Sequence, residues 1–225
     1  MMKKTGFTLA EVLITLSIIG VVAMMTLPAL MTNVQEQQAK TGLKKGLNTL
    51  TEAAQMNNAV EGFDYASLNV ATTGEEDQSL TGLFKQRMQY NTETSYFGEG
   101  STTSSDFKKV NGGSDSNYVV FLRDGSSIEY DKDIKCADDG CRELQADGLP
   151  NGFVVLYDIN GAKSPNIYSN CKGEAAARNG AANKDDSSTT SCTKSKRVIK
   201  DQFSIRLRGT FAQPVGAAAK WAFEH

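Results

Sequence analysis

Histidine is almost missing from this 225-residue chain: the single one is His225, the last residue. A Ser-His or Cys-His nucleophile would have to draw its base from a chain terminus, where order is least assured, so that chemistry has no support here. No P-loop, H-E-x-x-H pair or paired-carboxylate motif nominates another mechanism, and the chain is expected not to be an enzyme. An excess of one charge is lacking too, with 24 Lys and Arg against 26 Asp and Glu and a formal net charge of -2. That balance leaves no electrostatic footprint for nucleic acid. The pairs Lys44-Lys45, Lys108-Lys109 and Lys196-Arg197 read as solvated surface. There is no internal repeat.

What the chain does contain is one long apolar run near its start. From Phe7 to Met31 the only charge is Glu11, and the length suits a transmembrane helix, which needs about 20 apolar residues to cross a bilayer. Lys3 and Lys4 precede it, so the N-terminus is expected to stay cytoplasmic and everything after Met31 to be extracytoplasmic. A secretory signal fits poorly: its apolar core is about 7–15 residues with a small-residue cut site behind it, whereas here the suggestive small residue, Gly6, comes before the run. A carboxylate inside a membrane helix costs about 2.5–3.5 kcal/mol, so Glu11 needs a reason. Either it reaches headgroup water near the cytoplasmic end, or an amine on a neighbouring helix neutralises it and sets the stagger between helices.

The stretch Lys4-Thr5-Gly6-Phe7-Thr8-Leu9-Ala10-Glu11-Val12-Leu13-Ile14 resembles the processing site of the type IV pilin family, which includes the pseudopilins of type II secretion. The resemblance is close over the first thirty residues or so and loose over the next thirty. It implies that a prepilin peptidase cuts between Gly6 and Phe7 and methylates the new N-terminus, and that Glu11 pairs with a neighbour during fibre assembly. Implied partners are the peptidase, an inner-membrane assembly platform, the membrane, and other pilins through the N-terminal helix. The implied location is the inner membrane, single-pass with an extracytoplasmic head, and then a pilus or pseudopilus. The function implied is that of a structural subunit; the alternative is a minor pilin serving DNA uptake or adhesion.

Beyond Met31, Leu43, Leu47, Leu50 and Ala54 recur at helical spacing between polar residues, so the helix is expected to continue to about Asn58 as an amphipathic half. Gly42 and Gly46 weaken it by about 1 kcal/mol each relative to Ala, and Pro28 removes one backbone donor. This divides the chain into a leader 1–6, an apolar helix 7–31, an amphipathic continuation 32–58 and a head 59–225. In the head, a loop is expected over Gly62 to Gly74, a short helix from Ser79 to Tyr90, and a Ser/Thr/Gly-rich excursion from Asn91 to Asn117 with one short strand near Phe107. Tyr118 to Leu122 and Ser127 to Tyr130 flank the turn signal Asp124-Gly125 and read as a hairpin. Phe153 to Tyr157 is a third strand, and Phe203, Ile205 and Leu207 mark a final half-buried one. The expected fold is therefore α+β and pilin-like: a long N-terminal helix packed by its Leu43-Leu47-Leu50 stripe on a small antiparallel sheet. The polar stretch Ser169 to Lys200 reads as a surface insertion, and the tail Gly209 to His225 has no assigned place.

The four cysteines, Cys136, Cys141, Cys171 and Cys192, all fall in the second half. An even count in an extracytoplasmic head favours disulfides. The local pairing, Cys136 with Cys141 and Cys171 with Cys192, is expected, at about 2 and about 3 kcal/mol respectively. A zinc site lacks the usual C-x₂-C spacing. One further cluster, Asp158, Asn160 and Asn166 with Asp201 after the insertion, resembles a D-x-N-G-x-x-x-P-N turn near the C-termini of some pilin-like heads, several of which bind calcium there. It lacks the run of acids and terminal bidentate Glu of a full calcium loop. An Asn-Gly turn held by Asx hydrogen bonds fits the same residues.

Overall fold

The computed structural model describes residues 8–68, 78–91, 117–131, 141–161, 163, 166–171 and 197–225. The leader with Gly6 and Phe7, the strand expected near Phe107, Cys136, Cys192 and most of the expected insertion lie outside the described residues. The chain divides into two compact units, Met1–Gln38 and Ala39–His225. A single helix, α1 (Leu9–Glu61), crosses the boundary.

In the first unit α1 is apolar on every side, and Leu9, Leu13, Ile14, Ile18, Ile19, Met24 and Met25 are all exposed. Thr8 starts it as an N-cap: its hydroxyl accepts from Glu11 N at 3.3 Å, while Glu11 Oε2 accepts from Thr8 N at 2.8 Å and from the Thr8 hydroxyl at 2.9 Å. This reciprocal capping box satisfies donors that would otherwise be left open at the helix end.

In the second unit the same helix has one buried stripe. Ala39, Leu43, Leu47, Leu50 and Ala54 join a core with Val120, Ile128, Val155, Phe203 and Ile205, each large aliphatic contributing about 1.5–3 kcal/mol. Gly42 and Gly46 are seats on that stripe. A Cβ at Gly46 would lie 2.4 Å from the Tyr157 ring, and one at Gly42 would lie 2.9 Å from the Ile159 side chain. The expected end at Asn58 falls three residues early, because Gly62 supplies the left-handed φ of +76° that closes the helix, its N–H donating to Asn58 O at 3.1 Å.

A five-stranded antiparallel sheet packs on that stripe in the order β1 (Asn117–Phe121), β2 (Ser127–Asp131), β3 (Phe153–Asp158), β6 (Gln202–Arg208), β7 (Phe211–Pro214). The β1–β2 hairpin turns on Gly125, at φ +93°, and Lys45 on α1 grips the turn through Asp124 at 2.7 Å. The short helix α2 (Leu80–Arg87) is capped by Ser79, whose hydroxyl accepts from Gly82 N at 3.0 Å, and Phe84 meets Tyr130 edge-on at 5.4 Å. It is shorter than the expected Ser79 to Tyr90, since Tyr90 instead bridges Leu122 beside β1. A 3₁₀ turn (Tyr65–Ser67) lies inside the stretch expected to be loop.

Two differences from expectation have physical causes. The strand around Phe203 is not half-buried: Ser204, on its second face, is fully buried because the Tyr168 hydroxyl covers it, bonded to Ser204 Oγ at 2.8 Å. Nor is that strand the last. The tail forms β7 and then α3 (Ala217–Glu224), whose Ala218, Ala219 and Ala222 enter the core. Trp221 on α3 carries Lys40 Nζ 4.1 Å and the Arg197 guanidinium 3.1 Å from its ring centroid, with His225 stacked at 4.9 Å. Arg197 belongs to β5 (Arg197–Val198), which pairs with β4 (Asn170–Cys171).

Candidate functional site

The first candidate is the start of α1. Residues Leu9–Leu27 form a helix long and apolar enough to cross a membrane. Exposed apolar surface on this scale is consistent with anchoring in a membrane. Glu11 sits in the first turn, and the Thr8 N–H and hydroxyl give one of its oxygens two donors. Thr8 was not singled out from the sequence, although Thr8-x-x-Glu11 is a capping-box signal. Gly6 and Phe7 lie outside the described residues.

The second candidate is a polar turn that the sheet register assembles. Pairing of β3 with β6 sets Asp158 opposite Gln202, so Asp201 arrives beside the turn that follows Asp158. All four residues expected there, Asp158, Asn160, Asn166 and Asp201, are brought together. Asp201, 4% exposed, accepts from Asn160 Nδ2 at 3.0 Å, Asn166 N at 2.7 Å and Ile167 N at 2.7 Å. Asp158, 1% exposed, accepts from Asn160 N at 3.0 Å through one oxygen and from Gln202 Nε2 at 3.0 Å through the other. Burial pushes the Asp158 carboxyl up to about 7 and the Asp201 charge adds to the rise, against the Gln202 and Asn160 hydrogen bonds that lower it. Gln202 escaped the sequence reading because its role depends on strand register, which no local pattern encodes.

Asn166 takes a left-handed φ of +47°, which a short amide tolerates better than other side chains. One terminal atom of its amide lies 3.1 Å from Asp158 Oδ2, 3.0 Å from Gly161 O and 2.9 Å from Lys163 O. Gly161 has φ +64°, and a Cβ there would come within 2.6 Å of Gly125 O, so the polar turn rests directly on the β1–β2 turn. Asn160 Oδ1 is buried without a hydrogen-bond partner among the described residues.

A hard cation would find carboxylate, amide and carbonyl oxygens at this turn, but little negative charge. Calcium takes carboxylate, amide and carbonyl oxygens, and Asp158 Oδ2, Gly161 O and Lys163 O already converge on the Asn166 amide. Among the described residues no group of three or more His, Cys, Asp or Glu side chains gathers, so amide and backbone oxygens would make up most of the shell. Of the cysteines, Cys141 is buried and Cys171 is disulfide-bonded. Cys136 and Cys192, their expected partners, lie outside the described residues.

Residues 1–27 match the family model of the prokaryotic N-terminal methylation motif, the prepilin-type cleavage and methylation segment of type IV pilins and pseudopilins. No curated protein and no solved structure matches the chain.

Proposed function

We propose that this chain is a structural subunit of a type IV pilus-like filament or type II secretion pseudopilus, cut between Gly6 and Phe7 and methylated at Phe7. The observation that carries this is the methylation motif over residues 1–27, followed at once by a helix whose apolar side chains are exposed on all sides. Such a helix is at ease in lipid, where helices gain nothing from mutual hydrophobic contact. Once withdrawn from lipid it gains about 0.8 kcal/mol per methylene buried against its copies. The assembly platform and prepilin peptidase of the inner membrane are the partners this route requires, with the head on the extracytoplasmic side.

The Thr8–Glu11 capping box supplies what Glu11 needs before assembly. Local donors hold one oxygen of the carboxylate in the membrane, and a neighbour's Phe7 amine then pairs with its charge as the copies come into register. Mass spectrometry of the mature protein tests the reading: a methylated N-terminus at Phe7 is expected, and a chain that retains Met1 to Gly6 would sink it. Glu11→Ala is expected to insert normally and to lower filament yield at least tenfold; a wild-type yield would remove Glu11 from assembly.

A second, independent reading concerns the polar turn: calcium, held by Asp158, Gly161 O, Lys163 O and Asn166, with Asn160 and Asp201 bracing it. The convergence of Asp158 Oδ2, Gly161 O and Lys163 O on one point favours it. When bound, the ion would supply positive charge to a buried carboxylate that has only amide donors. Calorimetric titration of the full chain in detergent micelles with calcium tests it, and a flat titration would reject it.

A further inference from the structure

The sheet ends at β7, and an edge strand presents outward N–H and C=O groups on which another chain can add. Which groups these are follows from the register. Leu207 lies opposite Ala212 and Ile205 opposite Pro214, while Val215 N, one residue on, donates to Ser204 O at 3.0 Å. Antiparallel pairs alternate between hydrogen-bonded and not, so Phe211 and Gln213 turn their backbone groups to β6, and Ala212 and Pro214 turn theirs outward. Neither outward position has an N–H to give. The Ala212 N–H donates to the Thr51 hydroxyl of α1 at 3.1 Å, and proline has none. Burial alone does not protect this edge: Phe211 is 48% exposed, and Ala212, Gln213 and Pro214 are only half-buried. At the opposite edge the chain pairs with itself. Tyr90 bridges Leu122 just past β1, Asn91 N donates to Phe121 O at 2.7 Å, and Arg123 N donates to Gln89 O at 3.0 Å.

We propose that Thr51 and Pro214 together close the β7 edge against strand addition by a second copy of this chain. An incoming strand would leave its own carbonyls facing a proline ring and an N–H already held by α1, and an acceptor desolvated without a donor opposes pairing. Such a guard matters most where identical heads are brought side by side, since an open edge would compete with the helices as the contact between copies. It goes beyond the filament reading and does not depend on it, because it acts wherever two heads meet. Thr51 lies 161 residues before Ala212 in the chain, so the edge is closed only once the tail has docked on α1.

Full-length protein in detergent micelles tests this with Thr51→Val, which keeps the branched shape and removes the acceptor, and Pro214→Ala, which adds an N–H. At low protein concentration Thr51→Val should speed hydrogen exchange at the Ala212 amide at least tenfold, and Thr51→Ser, which keeps the hydroxyl, should not. The double variant should self-associate at least tenfold more tightly than wild type by sedimentation equilibrium, with the amides at 212 and 214 gaining protection as concentration rises. Each single variant should fall between the two, and these decide the matter if the double variant does not fold. Folded variants that associate no more than wild type would overturn the proposal. So would tighter association that leaves both amides exchanging freely, because the contact would then lie elsewhere.

Discussion

The two parts of α1 share one backbone geometry and differ in what surrounds them. From Leu9 to Gln38 apolar residues occur on every face and stay exposed, Leu13 at 59% and Ile19 at 63%. From Ala39 to Glu61 most of them fall on a stripe, where Leu43 and Leu50 are wholly buried, and only Met56 and Val60 among the large ones stay exposed. Both are helical although the first is rich in β-branched residues, so helix propensity does not decide their fates. Periodicity does: an apolar stripe asks for one partner surface, and apolarity all round asks for a surrounding medium or a bundle. One helix can therefore belong to a folded head and to a membrane or fibre core.

The comparison predicts separable failures. Leu50→Ala should destabilise the head by about 2–5 kcal/mol through cavity formation and leave membrane insertion untouched, as thermal unfolding and carbonate extraction would report. Ile18→Arg should do the opposite, costing about 2.5–3.5 kcal/mol of insertion with the unfolding temperature of the head unchanged. If either substitution disturbed both properties, the two parts would not be independent.

A sharper probe is Gly46→Ala. Helix propensity alone would make it stabilising by about 1 kcal/mol, but the added methyl overlaps the Tyr157 ring, and overpacking costs about 1–3 kcal/mol. Net destabilisation is expected in the wild-type background. In a Tyr157→Val background the ring is gone and the same change should become stabilising; denaturant titration of the four proteins measures the reversal.

The smallest effect is a pH dependence confined to the head. Arg208 grips Asp147 through two hydrogen bonds, at 2.7 and 2.8 Å, and holds its carboxyl down to about 2. Because the folded value lies below the ordinary one near 3.8, the pair contributes its stability above a pH of about 4 and loses it as pH falls towards 2. Asp147→Asn should flatten the unfolding curve of the head between those values and leave insertion of the first part of α1 unaffected.

Much of this was legible because it was written in apolar spacing. The Leu43-Leu47-Leu50 stripe, the β1–β2 hairpin and the runs at Phe153 and Phe203 each announced the surface they bury. β7 and α3 did not: Phe211–Pro214 is short and ends in proline, and the buried residues of α3 are alanines, whose burial leaves a weak pattern. Gly42 and Gly46 read as weak points when they are the clearance for Ile159 and Tyr157. At the polar turn the residue types Asp158, Asn160, Asn166 and Asp201 could be named in advance. Gln202 and the convergence on the Asn166 amide could not, since both follow from long-range strand pairing and from a left-handed backbone at one position.

The stacking of Arg197 on Trp221 reaches beyond local packing. Arg197 is paired with Cys171 across β4 and β5. The ring thus holds β5, and through it β4, to the C-terminal helix. A strand pair only two residues long borrows its hold from the far end of the chain, so loosening α3 should loosen β4 and β5 with it.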